Sequence, residues 1–183
     1  MFLRTSHFKY PVDFKNPLKY SSHRENVGSM RFREFDLAGG VYIVTGGARG
    51  LGLCLAEALV EAGGKVHCLD LLAEPDETWA AAQSRILPEF GGSLHYHRVD
   101  VTNEKELDEV FTSIAEDRKR LDGLIAAAGK QMAQNSVDHK IEDVQYLMDI
   151  NYTGVFLSAS AAARQMIRFK TRGSICLIAS TVG

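Results

Sequence analysis

The stretch 45–52, which reads Thr-Gly-Gly-Ala-Arg-Gly-Leu-Gly, has the residue types and the setting of a phosphate-binding turn. It follows the apolar run 41–44 and precedes a run of helical composition. Glycine has no side chain to hold the backbone away from a phosphate, and the first N–H groups of a helix attract an anion. No Gly-Lys-Ser or Gly-Lys-Thr follows, which excludes a Walker loop. We therefore assign contacts with a phosphate-bearing cofactor to Thr45, Gly46, Arg49, Gly50, Leu51 and Gly52.

An acidic residue, Asp70, follows the next apolar run, eighteen residues beyond Gly52. A carboxylate at this distance from a glycine turn favours a nicotinamide dinucleotide, because it can accept hydrogen bonds from both hydroxyls of the adenosine ribose. The same carboxylate would repel the 2′-phosphate of NADP, so Asp70 favours NAD over NADP. Arg49 leaves three alternatives open: its cation would welcome a 2′-phosphate, pair with Asp70 or lie in solvent.

The elements that must position these residues alternate along the chain, with no hairpin between neighbouring strands. Short apolar runs predict strands at 41–44, 66–69, 94–99, 124–128 and 175–178. The composition between them predicts helices at 51–62, at 78–87, at 141–170 and after a cap at Thr102 or Asn103.

Such alternation requires right-handed crossovers and a parallel sheet that is covered on both faces. The predicted fold class is therefore α/β, with a Rossmann-like doubly wound parallel sheet in three α/β/α layers. Residues 1–38 lack the alternation and are predicted to be an N-terminal extension. Residues 39–183 are predicted to be the dinucleotide-binding domain, with the first five strands of a fold that we expect to be incomplete at the carboxyl end.

The bulk composition argues against several classes of partner. A net charge of −2 and a pI near 6.3 give no basis for nucleic acid or an anionic membrane as a partner. The three cysteines (Cys54, Cys68 and Cys176) fall in apolar runs and are predicted to pack in the core, which fits a reducing, cytoplasmic compartment. A mitochondrial presequence is the alternative, because the first twelve residues contain Arg4 and Lys9 but no acid.

Five motifs along the chain, in the order given below, resemble those of the short-chain dehydrogenase/reductase family. Thr45-Gly46-x-x-x-Gly50-x-Gly52 is similar to the family's cofactor turn, and Ala126-Ala127-Ala128-Gly129 stands where the family has Asn-Asn-Ala-Gly. The resemblance implies further cofactor contacts at Asp100, Val101, Ala128 and Gly129. It also implies two catalytic residues, Asn151 in Asn-Tyr-Thr-Gly and Ser180 in the sequence that follows the fifth predicted strand. The amino-acid sequence of residues 91–96 and 123–129 resembles that of fungal sugar-alcohol dehydrogenases of the arabinitol or sorbitol type.

The resemblance implies hydride transfer between a nicotinamide cofactor and a secondary alcohol or ketone, such as a polyol or ketose. Family members move the proton with a Tyr-x-x-x-Lys pair, since an unperturbed phenol is a poor base at neutral pH. Tyr146 and Tyr152 are not followed by lysine at that spacing, so they are expected to be packing or surface residues. A truncated, catalytically inactive dinucleotide-binding module is therefore the alternative. Full-length relatives are expected to be homodimers or homotetramers.

Other residues whose side chains could bind a metal or a substrate are given structural interpretations. His95 and His97 alternate along a predicted strand and share a face, but no third ligand lies nearby in the sequence, so no metal site is predicted. Trp79 is interpreted as a helix packing residue rather than a residue that stacks on substrate.

Overall fold

The computed structural model describes residues 35–180, in which strands and helices alternate. The described strands are β1 (Val41–Thr45), β2 (Lys65–Asp70), β3 (Ser93–Arg98), β4 (Gly123–Ala126) and β5 (Ser174–Leu177). The described α-helices are α1 (Gly50–Glu61), α2 (Glu77–Ser84), α3 (Glu104–Arg118), α4 (Ile141–Met148) and α5 (Val155–Arg168). Most of the predicted extension, residues 1–34, lies outside the described residues. Within its last four residues, the Leu37 N–H donates to the Ala62 carbonyl at the end of α1.

The five described strands form one parallel sheet in the order β3-β2-β1-β4-β5. Thr45, the last residue of β1, pairs with Leu69 on one side and Ala126 on the other. The chain moves outwards from β1 to β3 and then returns to pair β4 with the other side of β1. This reversal places a crevice at the carboxyl ends of β1 and β4. The predicted α/β fold class is confirmed.

The central strands β1 and β4 are buried on both faces, which explains why they are continuous apolar runs rather than alternating ones. One core cluster joins the sheet to α3 and α5 and includes Ile43, Leu69, Phe111 and Leu124. A second cluster joins the opposite face to α1 and α2 and includes Val44, Leu53, Val66 and Trp79. Both faces of β1 are therefore covered, and the glycine turn follows the most enclosed strand of the sheet.

The observed ends of some helices and strands differ from the predicted ends by a few residues. The predicted helix 78–87 ends at Ser84, and Pro88 begins a separate 3₁₀ turn at Pro88–Phe90. The predicted strand 124–128 ends at Ala126. Asn103, not Thr102, caps α3, because its Oδ1 accepts the Glu106 N–H at 3.3 Å.

The predicted long helix 141–170 is interrupted by a π-helical segment, Asp149–Gly154, which links α4 to α5. The continuous helical run therefore extends from Ile141 to Arg168. A π-helical turn changes the direction of side chains relative to a regular α-helix and often occurs at functional sites. Asn151, one of the two predicted catalytic residues, lies within this segment.

The prediction that all three cysteines pack in the core is wrong for two of them. Cys68 on β2 is buried, and burial raises the pKa of its thiol to about 12. Cys54 and Cys176 are exposed. Cys176 lies on β5, which pairs with one strand only in the described sheet and whose four residues are all exposed. An apolar run in the sequence therefore identified the strand but not its neighbours.

Large apolar side chains are exposed on the helical run as well as on β5. Met148 in α4, Phe156 and Ile167 in α5 and Leu177 in β5 are each at least 50% accessible. No described helix has both the length and the apolar composition that a membrane crossing requires. These side chains form part of the protein surface near the carboxyl end of the described fold.

Three histidines lie together on one face of β2 and β3. His67 pairs with His95 across the two strands, and its ring stacks on those of His95 and His97 at centroid distances of 4.7 and 5.1 Å. His67 Nδ1 lies 2.9 Å from His97 Nε2. Strand pairing thus places His67 beside His95 and His97, a neighbour that the spacing along the sequence did not reveal. Within residues 35–180, however, no cluster of three or more His, Cys, Asp or Glu side chains could hold a metal ion.

Acidification is expected to destabilise the fold through this histidine cluster. Burial, together with His95 and His97, lowers the pKa of His67 from 6.5 to about 3; Lys65 acts in the same direction and Asp117 opposes it. Between these pH values the unfolded chain binds a proton that the folded chain does not. The free energy of unfolding should therefore fall as the pH decreases below 6.5, by at most about 1.4 kcal/mol per pH unit for one group.

Urea unfolding between pH 7.5 and pH 5 measures this dependence. His67→Gln should flatten it, whereas His139→Gln, which changes a histidine outside the cluster, should leave it as in the parent chain. Equal pH dependence in the parent chain and His67→Gln would show that the cluster does not control acid stability.

Candidate functional site

The glycine turn after β1 is built from close backbone contacts that only glycine allows. Gly46 has a φ of +68°, and its N–H donates to the Leu69 carbonyl at 2.8 Å. A Cβ at Gly46 would lie 2.7 Å from Ala128 Cα, so a side chain there would push the glycine turn away from the segment that follows β4. A Cβ at Gly52 would overlap the Gly46 carbonyl oxygen. The glycine turn and the first turn of α1 are therefore packed backbone against backbone.

The amino end of α1 is open in a way that suits an anion. Gly50 has a φ of +58°, and a Cβ there would meet no atom within 4 Å. Arg49 and Leu51 are exposed, and the Arg49 side chain does not cap the helix. Within residues 35–180 Arg49 forms no ion pair, which removes pairing with Asp70 from the three alternatives. The first N–H groups of α1 and the exposed Arg49 thus remain for a ligand or for solvent.

Asp70 has a structural role that its place in the sequence did not reveal. Its Oδ2 accepts the Ala48 N–H from the glycine turn at 3.2 Å, and its Oδ1 accepts the Leu72 N–H at 3.3 Å. One carboxylate therefore ties the glycine turn to the loop that follows β2. Each carboxylate oxygen has further acceptor capacity, so these two bonds leave room for ribose hydroxyls.

Thr45 joins the glycine turn to the segment after β4. Its hydroxyl oxygen accepts the Ala128 N–H at 3.3 Å, and its carbonyl accepts the Ala127 N–H at 3.1 Å. Thr45 is buried, so these two bonds tie the end of β1 to the alanines that follow β4.

Asp100 and Val101 follow β3 at the same edge of the sheet. Asp100 Oδ1 accepts bonds from the Thr102 N–H at 2.9 Å and from its hydroxyl at 2.7 Å, which closes a tight turn before α3. Val101 is buried and contacts Gly154, where an added Cβ would lie 2.8 Å from Val101 Cγ2. Val101 therefore joins the carboxyl edge of the sheet to the π-helical segment.

Asn151 holds the segment after β4 through two hydrogen bonds. Its Oδ1 accepts the Lys130 N–H and its Nδ2 donates to the Lys130 carbonyl, each at 2.8 Å. A Cβ at Gly129 would lie 3.4 Å from Asn151 Oδ1, so the amide lies directly against this backbone. The structure thus brings Asn151 to Gly129, two residues that are far apart in the sequence.

Sequence reasoning missed Lys130. Its Nζ donates to the Tyr146 hydroxyl at 3.2 Å and lies 4.7 Å from the centre of the Tyr146 ring. Tyr146 therefore does have a lysine beside its phenol, although that lysine comes from sixteen residues upstream rather than from four residues downstream. Both side chains are exposed, which agrees with the surface role expected for Tyr146.

Ser180 lies three residues beyond the end of β5, on the carboxyl side of the sheet, and it is exposed. Because the described strands are parallel, the segments that follow β1, β2, β3, β4 and β5 all emerge at one edge. The predicted site residues therefore share this edge. The contacts given above connect the glycine turn to Asp70, to Ala128 and, through the next residues, to Asn151.

A family model described as short chain dehydrogenase matches residues 40–183. The match includes every described strand, the glycine turn, Asn151 and Ser180.

Individual proteins with similar sequences or structures agree with that match. The chain is 34% identical over 151 residues to the short chain dehydrogenase/reductase notP′ of Aspergillus versicolor, with 81% of this chain and 51% of that protein covered. It is 34% identical over 154 residues to the galactitol 2-dehydrogenase of Rhizobium johnstonii, with 82% and 57% covered. A short chain dehydrogenase from Mycobacterium paratuberculosis, solved bound to NAD, has a TM-score of 0.70 at 28% identity, with 79% and 57% covered. The chain spans about half the length of the curated relatives it matches.

Proposed function

Since the chain belongs to the short-chain dehydrogenase family, we propose that residues 39–183 bind NAD for hydride transfer to or from a secondary alcohol or ketone. The observation that supports this most strongly is the glycine turn, in which a Cβ at Gly46 or Gly52 would fill the space that the backbone needs. The uncapped amino end of α1 adjoins that turn and attracts a diphosphate through its N–H groups.

The choice of NAD over NADP rests on Asp70. Its carboxylate lies at the end of β2 and is held in place by the N–H groups of Ala48 and Leu72. A carboxylate fixed in this way binds ribose hydroxyls and repels a 2′-phosphate. Arg49 is exposed and has the opposite charge, so it would favour NADP if Asp70 were absent. The NAD-bound relative from Mycobacterium paratuberculosis supports the same choice.

The substrate that we propose is a polyol or the corresponding ketose. The galactitol 2-dehydrogenase among the relatives is named for such a substrate, and its sequence is 34% identical to this chain. Bound NAD would supply the hydride acceptor. Ser180 would donate a hydrogen bond to the substrate oxygen, and Asn151 would keep the Gly129–Lys130 backbone in place through its two bonds to Lys130.

A second candidate is a dinucleotide-binding module without catalytic activity. It is favoured by one observation: none of the six tyrosines in the 183 residues is followed by lysine at the fourth position. Turnover by the 183-residue chain with NADH and a ketose distinguishes the two. A rate above roughly one thousandth of a typical enzyme's would decide for the enzyme, and binding without turnover would decide for the module.

NAD is expected to stabilise the 183-residue chain against thermal unfolding more than NADP does. A ligand at a hundredfold excess over its dissociation constant adds about 2.7 kcal/mol, which corresponds to roughly 5–10 °C in Tm for a domain of this size. Differential scanning calorimetry with matched concentrations of both nucleotides measures the difference. Stabilisation by NADP alone would contradict the choice of NAD, and stabilisation by neither nucleotide would contradict the site.

A further inference from the structure

The loop after β2 is held by a residue that belongs to β3. The Tyr96 hydroxyl donates to the Leu72 carbonyl at 2.6 Å, while the Leu72 N–H donates to Asp70 Oδ1 at 3.3 Å. Leu72 is therefore held at both of its backbone polar atoms. One bond comes from the next strand of the sheet, and the other comes from the carboxylate to which we assign ribose binding.

The Tyr96 ring has a fixed position from which to hold this loop. It is half-buried and packs edge-on against the buried Trp79 of α2, with ring centroids 5.3 Å apart and planes at 72°. Burial and the nearby Asp70 carboxylate both raise the pKa of Tyr96, so its phenol stays protonated and able to donate at neutral pH. A protonated phenol in a packed ring is a dependable hydrogen-bond donor.

We propose that Tyr96 is a positioning residue for ribose recognition, which acts by holding Leu72 and through it the Asp70 carboxylate. This inference rests on the proposed NAD-binding function. Without the Tyr96 bond, Leu72 would be tied only to Asp70, so the carboxylate would lose its fixed partner at Oδ1 while the Ala48 N–H still held Oδ2. A carboxylate that is fixed at one oxygen instead of two holds ribose hydroxyls less well and repels a 2′-phosphate less effectively. Tyr96 should therefore influence the preference between NAD and NADP without touching either nucleotide.

Tyr96→Phe removes the hydroxyl and keeps the ring that packs on Trp79. We expect the affinity for NAD to fall by about fivefold to tenfold, which is the effect of one hydrogen bond, while the affinity for NADP changes by less than about twofold. Isothermal titration calorimetry of the 183-residue chain with each nucleotide measures both constants. Trp79 is the single tryptophan of the chain, so its fluorescence reports whether the packing beside residue 96 is preserved.

Tyr42→Phe is the matched control. Tyr42 is also a half-buried strand tyrosine, it packs in the same core cluster as Tyr96, and its pKa is likewise raised by burial. It lies on β1 near the amino edge of the sheet, beside Gly40 and Gly123 and away from the ribose acid. Tyr42→Phe should leave the ratio of the NADP and NAD dissociation constants unchanged.

The outcomes separate this inference from the function on which it rests. A reduced ratio in Tyr96→Phe, with the parent ratio in Tyr42→Phe, would support the inference. If the parent chain binds NAD and Tyr96→Phe has the same ratio, the inference is overturned and NAD binding stands, even if Tyr96→Phe has a lower Tm. If the parent chain binds neither nucleotide, the proposed function fails and the inference fails with it.

Discussion

Gly52→Ala is expected to abolish NAD binding and to destabilise the fold by about 3 kcal/mol. This is the upper end of the usual cost of overpacking, because the clash is with backbone atoms that cannot move aside as a side chain could. The new Cβ would overlap the Gly46 carbonyl oxygen and lie 2.8 Å from the Gly46 carbonyl carbon. These are backbone atoms of the glycine turn, so the clash could be removed only if the turn moved away from α1. Thermal unfolding and NAD titration measure the two effects.

Gly50→Ala provides the control for Gly52→Ala within the same turn. Gly50 has a φ of +58°, but an added Cβ would meet no atom within 4 Å. The cost is then only that of placing alanine in the left-handed region, about 1 kcal/mol, and much of the NAD affinity should remain. Equal losses of affinity and stability in the two variants would show that close backbone packing is not what the turn requires.

Asp70→Asn is expected to reverse the nucleotide preference. The asparagine keeps one acceptor oxygen for the backbone but loses the charge that repels a 2′-phosphate and binds ribose hydroxyls strongly. We expect the NAD affinity to fall by about tenfold and the NADP affinity to rise by about tenfold, with Arg49 near the turn to meet the added phosphate. Isothermal titration calorimetry gives both constants.

Glu74→Gln is the control for the charge change at Asp70. Glu74 is an exposed acid in the loop after β2, so its neutralisation removes the same charge from the same region. The nucleotide preference should stay close to that of the parent chain. If Glu74→Gln alters the preference as much as Asp70→Asn does, the total negative charge of the loop selects the nucleotide, and a fixed carboxylate does not.

The amino-acid sequence predicted the parts of the fold that depend on short-range patterns. The apolar runs identified the described strands, and the glycine spacing identified the turn between β1 and α1. These features follow from the chemistry of a few consecutive residues. The position of Asp70 directly after the second apolar run also indicated the end of a strand, and parallel strands end at one edge of the sheet.

Contacts between distant residues could not be predicted in the same way. The bonds between Asn151 and Lys130, between Tyr96 and Leu72 and between Ala48 and Asp70 depend on strand order and register. No single window of the sequence contains both partners of these bonds.

The burial of individual side chains also could not be predicted from local sequence patterns. Cys68 and Cys176 both fall in apolar strands, but β2 lies inside the sheet and β5 lies at its edge. The residues of a strand do not state whether another strand or a helix covers them. The π-helical segment around Asn151 was missed for a related reason, since one extra residue in a helical turn leaves the composition unchanged.

A crystal structure of the 183-residue chain with NAD tests the central claim most directly. The account predicts the diphosphate within about 3 Å of the N–H groups between Gly46 and Gly52, with the adenosine ribose hydroxyls bonded to Asp70. An NAD molecule bound elsewhere, or a ribose beyond hydrogen-bonding distance of Asp70, would contradict it.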